Sequence, residues 1–300
     1  MENLRKNLNI YKENSVLRCI RLRFLGIRGN FDVYNPSCAF EFEKEKYIFG
    51  RVEKRKDWAD SQIMLFRRVD KRIWKRVRTF SPLKLEDPFV KKINGEFVLG
   101  GVYVRKSSGK IEFKTVFFRG KTPFFLKKFA EGPWGMKDIR LIELKNKKIG
   151  IFTRPQGGKY EGGKIGFDIF NSLQELNEEL INDAKLISFP FLDNEWGGVN
   201  DAVNLKENLL GVLGHIAYSY EDGRKFYYPI SFKFNIKKRK ISDLRLLFGR
   251  HNLPFGLPKN RYLYNVIFPG GIIPENDNAE LYTGVGDAES YEVEIKNPFL

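Results

Sequence analysis

Polar side chains able to do chemistry recur in this sequence at the edges of strongly apolar stretches. Five polar or glycine-rich segments stand ahead of them: Asn35-Pro36-Ser37, Glu86-Asp87-Pro88, Trp134-Gly135-Met136-Lys137-Asp138, Trp196-Gly197-Gly198-Val199-Asn200-Asp201 and Pro269-Gly270-Gly271. Behind the apolar stretches come Arg51 and Glu53, Arg154, His215, and Asp287 after Thr283-Gly284-Val285-Gly286. The pool holds carboxylates, cations and one histidine. Carboxylates exchange protons with glycosidic oxygens and sugar hydroxyls, and guanidinium forks clamp phosphate, so the set suits sugar or phosphate chemistry better than acyl transfer. No Gly-x-Ser-x-Gly elbow, Gly-x-x-x-x-Gly-Lys-Ser/Thr loop or His-Glu-x-x-His pair occurs. Gly284-x-Gly286 is followed by no helical pattern, which weakens a dinucleotide reading. No Cys/His cluster has zinc spacing, and the pool has no Asp-x-Asp motif to anchor a nucleotide diphosphate through a divalent ion, so neither metal nor cofactor is expected.

Scattered residues make one site only if the fold gathers them. A short strand, a polar turn and a very apolar strand recur five times. The apolar strands start at Tyr47, Phe97, Ile149, Leu209 and Glu280, at intervals of 50, 52, 60 and 71 residues. The turns read as Glu45-Lys46, Asn94-Gly95-Glu96, Asn146-Lys147-Lys148, Lys206-Glu207-Asn208 and Asn276-Asp277-Asn278. Strands such as Ile111 to Phe118 and Tyr227 to Ile236 fill the gaps, so each unit has material for about four strands, as a propeller blade requires. The pattern predicts an all-β, five-bladed β-propeller forming one domain over residues 1–300; a two-sheet sandwich is the alternative. One helix is expected as an insertion, Leu173 to Ala184, with Ser172 and Glu175 as a capping box. In a radial fold, equivalent positions of every repeat converge at one mouth of the central channel.

Composition narrows the partners. The chain has 300 residues, 42% hydrophobic, with 53 Lys+Arg against 37 Asp+Glu, a formal charge of +16 that points to an anionic partner. Cys19 and Cys38 cannot make a disulfide framework, which favours a reducing, cytoplasmic home. The charged N-terminus lacks a signal-like apolar run, and no 18-residue apolar stretch occurs, so no membrane association is expected. The basic stretches Arg67-Arg68, Lys71-Arg72, Lys75-Arg76 and Lys237-Lys238-Arg239-Lys240 support a competing reading, a non-enzymatic propeller that binds nucleic acid. They fall at different phases of the repeat, where they also serve as solvated edges that discourage strand pairing. The binder therefore ranks below an enzyme.

The ordered set Asn35-Pro36, Arg51-Val52-Glu53, Glu86-Asp87-Pro88, Lys137-Asp138, Ile151-Phe152-Thr153-Arg154-Pro155 and Tyr282-Thr283-Gly284-Val285-Gly286-Asp287 resembles the five-bladed β-mannoside phosphorylases of glycoside hydrolase family 130. It resembles still more the related mannosyltransferase/phosphorylase group, glycosyltransferase family 108. The resemblance runs from about Asn35 to Asn297. It implies Asp87 as general acid, passing its proton through a sugar hydroxyl, and Arg51, Lys137, Arg154 and His215 as candidates to hold phosphate. It also implies that Asn35, Arg51, Glu53, Glu86, Asp138, Asn200, Asp201 and Asp287 line the sugar. Phe89 stands where the first family has arginine. The substrates implied are β-1,2-linked mannose oligosaccharides with inorganic phosphate, or mannose 1-phosphate in the synthetic direction; GDP-mannose as donor is the alternative.

An inverting hydrolase needs a second carboxylate to activate water, roughly 6.5–9.5 Å from the acid. Phosphate is already an anionic nucleophile, so a phosphorylase needs donors and positive charge there instead. The basic pool favours phosphorolysis. Trp134, Trp196, Phe89 and Tyr218 are candidates for stacking on sugar faces.

Overall fold

The computed structural model describes residues 9–10, 16–55, 57–107, 109–157 and 163–300. The architecture is nearly all-β and propeller-like, built of antiparallel meanders. Strands β1 (Asn9–Ile10) and β2 (Val16–Arg21) leave the N-terminal region to join strands from the far end of the chain. The first meander contains β3 (Arg23–Leu25), β4 (Phe31–Tyr34), β5 (Phe40–Phe42), β6 (Glu45–Lys54), β7 (Asp57–Asp70) and β8 (Ile73–Arg76), in the order β3-β8-β7-β6-β4 with β5 also on β6. The second runs in simple order through β9 (Glu86–Ile93), β10 (Glu96–Ser107), β11 (Lys110–Thr122) and β12 (Phe125–Glu131). The third does the same through β13 (Arg140–Glu143), β14 (Ile149–Thr153), β15 (Gly166–Phe170) and β16 (Lys185–Leu186).

The remaining strands form one continuous sheet. Its first part is β17 (Trp196–Lys206), β18 (Leu209–Ser219), β19 (Lys225–Asn235) and β20 (Lys240–Leu246), with β1 parallel on β20. Its second part is β21 (Asn265–Glu275), β22 (Asn278–Val285) and β23 (Glu289–Lys296), completed by β2 on β23. A short parallel pairing, Phe226 with Asn265 and Tyr227 with Val266, joins the two parts. The chain then crosses from β2 to β3 at Leu22, whose N–H donates to Ser290 O at 2.9 Å. The N-terminal region thereby ties the last meander to the first.

The five apolar strands expected from the sequence are β6, β10, β14, β18 and β22, each starting within two residues of the expected position. The first turn lies two residues earlier than expected, at Glu43 and Lys44, which take left-handed φ of 50° and 64°. Helix formation differs more. A 3-10 turn covers Leu173–Glu175, and the helix α1 starts only at Glu178 and ends at Asp183. Asn177 caps it by accepting from Leu180 N–H at 2.9 Å, while Ser172 Oγ merely meets Glu175 Oε1 at 3.3 Å without capping. Asn is as good an N-cap as Ser, and the later cap wins because Leu173, Leu176 and Ile181 then all reach the core.

That core lies between meanders. Phe49, Ile63 and Leu65 of the first pack with Val90 and Leu99 of the second; Ile93, Val98 and Phe117 of the second pack with Leu141 and Ile151 of the third. Phe152 and Phe167 meet Phe232 and Phe234, Leu213 meets Ile267 and Leu281, and Tyr282 returns to Ile48 and Phe66. Each fully buried aromatic or branched side chain stabilises the fold by about 1.5–3 kcal/mol. Face-to-face packing of twisted meanders leaves their leading strands side by side, and the polar segments sit at those strands' ends.

Candidate active site

All five polar segments carry a backbone irregularity at the same place. Asn35, Asp87 and Asp138 hold left-handed φ of 44°, 48° and 59°, and so does Asp287, behind the last apolar strand, at 50°. The β9–β10 register breaks beside Asp87, between Gly100 and Val102; β17–β18 breaks between Val199 and Asp201; β21–β22 breaks between Pro269 and Gly271. Asn and Asp tolerate this conformation better than other residues with a Cβ, yet it still costs energy, and such strain concentrates at functional sites. Gly270 does more than shape its bulge: a Cβ there would lie 1.6 Å from Pro36 O, so the Asn35-Pro36 segment can seat only on glycine.

The acidic half of the site gathers around Arg51. Its Nη1 pairs with Asp87 Oδ1 at 3.2 Å, its Nη2 with Glu86 at 3.0 Å and Glu53 at 3.3 Å, and its Nε donates to Ser61 Oγ at 3.0 Å. Asn35 Nδ2 donates to the same Asp87 Oδ1 at 2.8 Å. Glu53 is fully buried and satisfied by the protein, since Tyr34 OH, Ser61 Oγ, Arg51 and Lys259 Nζ all donate to it. It anchors Arg51 and Lys259, and both its oxygens accept from protein donors. Burial pushes the Glu86 carboxyl up, with Arg51 opposing and Asp87 adding to the rise. Burial pushes Asp287 up in the same way, again against Arg51. A pocket of about 570 Å³ opens here, lined by Tyr34, Arg51, Glu53, Lys225, Lys259 and Asp287.

The basic half is centred on Asp138. Arg154 Nη1 pairs with its Oδ2 at 2.7 Å and Arg140 Nη2 with its Oδ1 at 3.4 Å, all three groups being buried. Burial would raise this carboxyl, but the arginines and Lys137 overcome it and hold Asp138 well below the usual carboxylate range. Arg154 Nε also donates to Gly197 O at 2.8 Å, and Arg140 Nε to Asn200 O at 3.1 Å. His215 Nδ1 meets Asn200 Oδ1 at 2.7 Å, and its ring stacks on Tyr227 at 5.6 Å. Burial pushes the His215 imidazole down to about 3, so it is neutral near pH 7. Gly198 makes room for both side chains: a Cβ there would lie 2.9 Å from Arg154 Cδ and 3.4 Å from His215 Cε1. Among the described residues the half-buried Lys137 has no ion pair, and Asn200 Nδ2 is a buried donor without a partner. Both are groups that an oxyanion or a hydroxyl could satisfy. A second pocket, about 540 Å³, is lined by Phe113, Gly135, Arg154, Gln156, Gly157 and Trp196.

The halves face one another. Arg140 feels the charge of Asp87 as well as that of Asp138 and Arg154, and Lys137 feels Glu86 as well as Asp138 and His215. Asp201 also acts on Arg140 by its charge, but both its oxygens are taken by protein donors. Its Oδ1 accepts from Lys91 Nζ at 2.5 Å and from Ala202 N–H at 2.7 Å, and its Oδ2 accepts from Ile272 N–H at 3.0 Å, so it ties three meanders together. Phe89 and Tyr218 are likewise core residues. Phe89 is 3% exposed with the Arg140 guanidinium 4.9 Å above its ring, and Tyr218 is 2% exposed and stacked on Phe226 at 5.0 Å. Arg140, Tyr34, Ser61 and Lys259 escaped the sequence reading. Arg140 alone had a signal, lying two residues after Asp138 on the strand that follows it.

Among the described residues no three His, Cys, Asp or Glu side chains converge as metal ligands, and no helix is long and apolar enough to cross a membrane. The basic stretches lie on the β7–β8 hairpin and the β19–β20 turn, in different meanders. Arg67 there pairs with Glu45 at 3.0 Å, and Arg239 donates to Phe167 O and Lys185 O.

Comparison with known proteins follows the same lines as the motifs. The chain is similar to the structure of MPT-4, a mannose phosphorylase from Leishmania mexicana in complex with phosphate ion, with 37% identity, a TM-score of 0.88, and 95% of this chain and 90% of that one covered. It is similar to MPT-1, a GDP-Man-dependent mannosyltransferase from the same organism, with 34% identity, a TM-score of 0.86, and 95% and 90% covered. The β-1,2-mannobiose phosphorylase from Listeria innocua shares the fold, at 16% identity and a TM-score of 0.65 over 97% of each chain. Among curated proteins none matches. The family model described as protein of unknown function, DUF1861, matches residues 9–300, and the chain belongs to that family.

Proposed function

We propose that this chain is a glycosyl-transferring enzyme of the phosphorylase type, a single five-bladed β-propeller domain over residues 1–300 in which two successive meanders of the continuous sheet count as two blades. It acts in the cytoplasm on β-1,2-linked mannose oligosaccharides and reversibly forms mannose 1-phosphate. A phosphate oxygen attacks the anomeric carbon from the face opposite the glycosidic oxygen, the C–O bond breaks, and the proton of Asp87 goes to the leaving oxygen, directly or through a sugar hydroxyl. In synthesis the same carboxylate takes the acceptor's proton, as microscopic reversibility requires. The two Leishmania relatives support the reaction class, since one is a mannose phosphorylase and the other a mannosyltransferase.

One observation carries the choice of phosphate over water. The carboxylate among the cations, Asp138, has both oxygens engaged by Arg154 and Arg140 and so is no base for water. What the basic half offers a nucleophile is Lys137, the part of Arg154 that lines the second pocket and the Asn200 amide, which suit an anion. Asp87, by contrast, is held among the described residues through Oδ1 alone, by Asn35 and Arg51. Asn35 and Asp287 are assigned to the sugar and Lys137, Arg154 and His215 to phosphate.

A second reading, transfer from GDP-mannose, is favoured by the 34% identity to MPT-1. The deciding experiment assays both directions with a chelator present. Release of mannose 1-phosphate from β-1,2-mannosides that requires phosphate supports the phosphorylase. Activity with GDP-mannose alone as donor puts the transferase in its place.

A further inference from the structure

A groove of about 460 Å³ flanks the reacting pockets and takes no part in the chemistry above. Its floor is apolar, made by Leu83, Leu85, Val116 and Phe118, and its wall is Trp134 beside Tyr103. The two rings lie 6.2 Å apart at 58° and are 40% and 36% exposed. Arg105 and Lys114 lie over the indole at 4.2 and 4.5 Å, which fixes the ring in place. Those cations are themselves held: Arg105 Nε pairs with Glu112 at 2.8 Å, and Glu131 takes both Lys114 and Lys128. Only Lys84, among the described residues of the groove, is a cation without an ion pair.

This balance decides the class of ligand. A polyanion gains little from cations already neutralised by neighbouring carboxylates. A neutral sugar gains an apolar ring to lie on and a rim of charged donors and acceptors for its hydroxyls.

The groove's place ties it to the substrate. Leu85 precedes Glu86, and one chain step is about 3.8 Å, so the groove ends one residue before the glutamate that pairs with Arg51. Trp134 precedes Gly135, which lines the Arg154 pocket. Strand β11 alternates in the same way, giving Phe113 to that pocket and Lys114 and Val116 to the groove. The Trp134–Gly135 step is thus a partition with the reaction on one side and the groove on the other.

We propose that this groove is a distal sugar subsite, holding a mannosyl unit beyond the bond being made or broken, with Trp134 as its stacking platform. The inference rests on the phosphorylase reading for the identity of the sugar. A unit bound that far from the reacting carbon is held equally in ground and transition states, so it acts on KM and leaves kcat alone. It gives the enzyme a preference for longer chains.

The test compares native protein with Trp134→Ala on β-1,2-linked mannobiose and mannotetraose. The expected result is a KM for mannotetraose raised about tenfold, with the mannobiose constants unchanged and Trp134→Phe restoring most of the loss. Unchanged mannobiose turnover also shows that the variant folds. An equal KM change for both substrates, or none for either, overturns the subsite. If native protein acts on neither substrate, the phosphorylase reading fails by itself, and mannotetraose binding followed by indole fluorescence then decides the groove. Quenching lost in Trp134→Phe supports it, and absence of binding to native protein overturns it.

Discussion

Asn35 donates its side-chain amide to Asp87 Oδ1 at 2.8 Å although 52 residues separate the two in the chain. Both residues hold left-handed backbone, with φ of 44° and 48°. Each meander strains its own edge to turn one polar side chain toward the other, and Arg51 Nη1 closes on the same oxygen at 3.2 Å. The arrangement fixes one oxygen of the carboxyl and spares the other, which is the state that a proton donor of defined direction requires.

Asp87→Asn therefore keeps the fold, because the amide oxygen still accepts from Asn35 and Arg51, and loses the proton. Turnover falls by about 10²–10⁴-fold in phosphorolysis and synthesis alike. Steady-state rates in both directions, beside a circular dichroism spectrum, check this. Near-native rates in either direction would remove Asp87 from the role.

The seat of Asn35 is a glycine. A Cβ on Gly284 would lie 2.0 Å from Asn35 Oδ1 and 2.5 Å from its backbone N, so the clash cannot be relieved by a side-chain rotation. Gly284→Ala is expected to cost about 1–3 kcal/mol of stability and to lower kcat by releasing Asp87 from its amide partner. Thermal unfolding and kinetics on one preparation check both effects. A variant that unfolds early but turns over normally shows that Asn35 is dispensable for orienting the acid.

The β-repeat was legible because each apolar strand is buried on both faces: Ile149 to Thr153 and Leu210 to Tyr218 are buried without a break. The phase of the polar segments was legible for a related reason, since Asn, Asp and Gly are the residues that best tolerate a backbone that must turn left-handed or bulge. Partnership was not. Asp201 and Asp138 read alike in sequence, yet one meets a lysine and two backbone amides while the other meets two arginines. Lys259 reaches Glu53 across 206 residues, a distance that no local pattern reports. The helix was misplaced because Ser172 and Asn177 are both good caps, and burial of Ile181 rather than local propensity chose between them.

Arg154→Ala removes the cation that faces both Asp138 and the pocket beside Trp196. The KM for phosphate is expected to rise at least about tenfold while that for the mannoside moves much less, because a charge-assisted clamp on the nucleophile is lost. Initial rates over a grid of both substrates separate the two constants. An effect confined to the mannoside would assign Arg154 to a sugar subsite.

His215 gives the fold an acid sensitivity of defined sign. Burial pushes its folded pKa down to about 3, against about 6.5 in the unfolded chain. The stability it contributes is fully present above pH 6.5 and is lost as the pH falls toward 3, because only the unfolded state takes up the proton. Between pH 6.5 and 5 the loss amounts to about 2 kcal/mol. Asp138, also pushed down, enters only at lower pH, while Glu86 and Asp287, pushed up, favour the fold as pH falls and so oppose the trend. A difference measurement isolates the histidine. His215→Gln can still bond Asn200 Oδ1 but cannot titrate, so denaturant unfolding of both proteins at pH 6.5 and pH 5 should show native protein losing about 2 kcal/mol more than the variant. Equal losses would mean that His215 takes up its proton in the folded state, beside Arg154, and is then a charged member of the phosphate site.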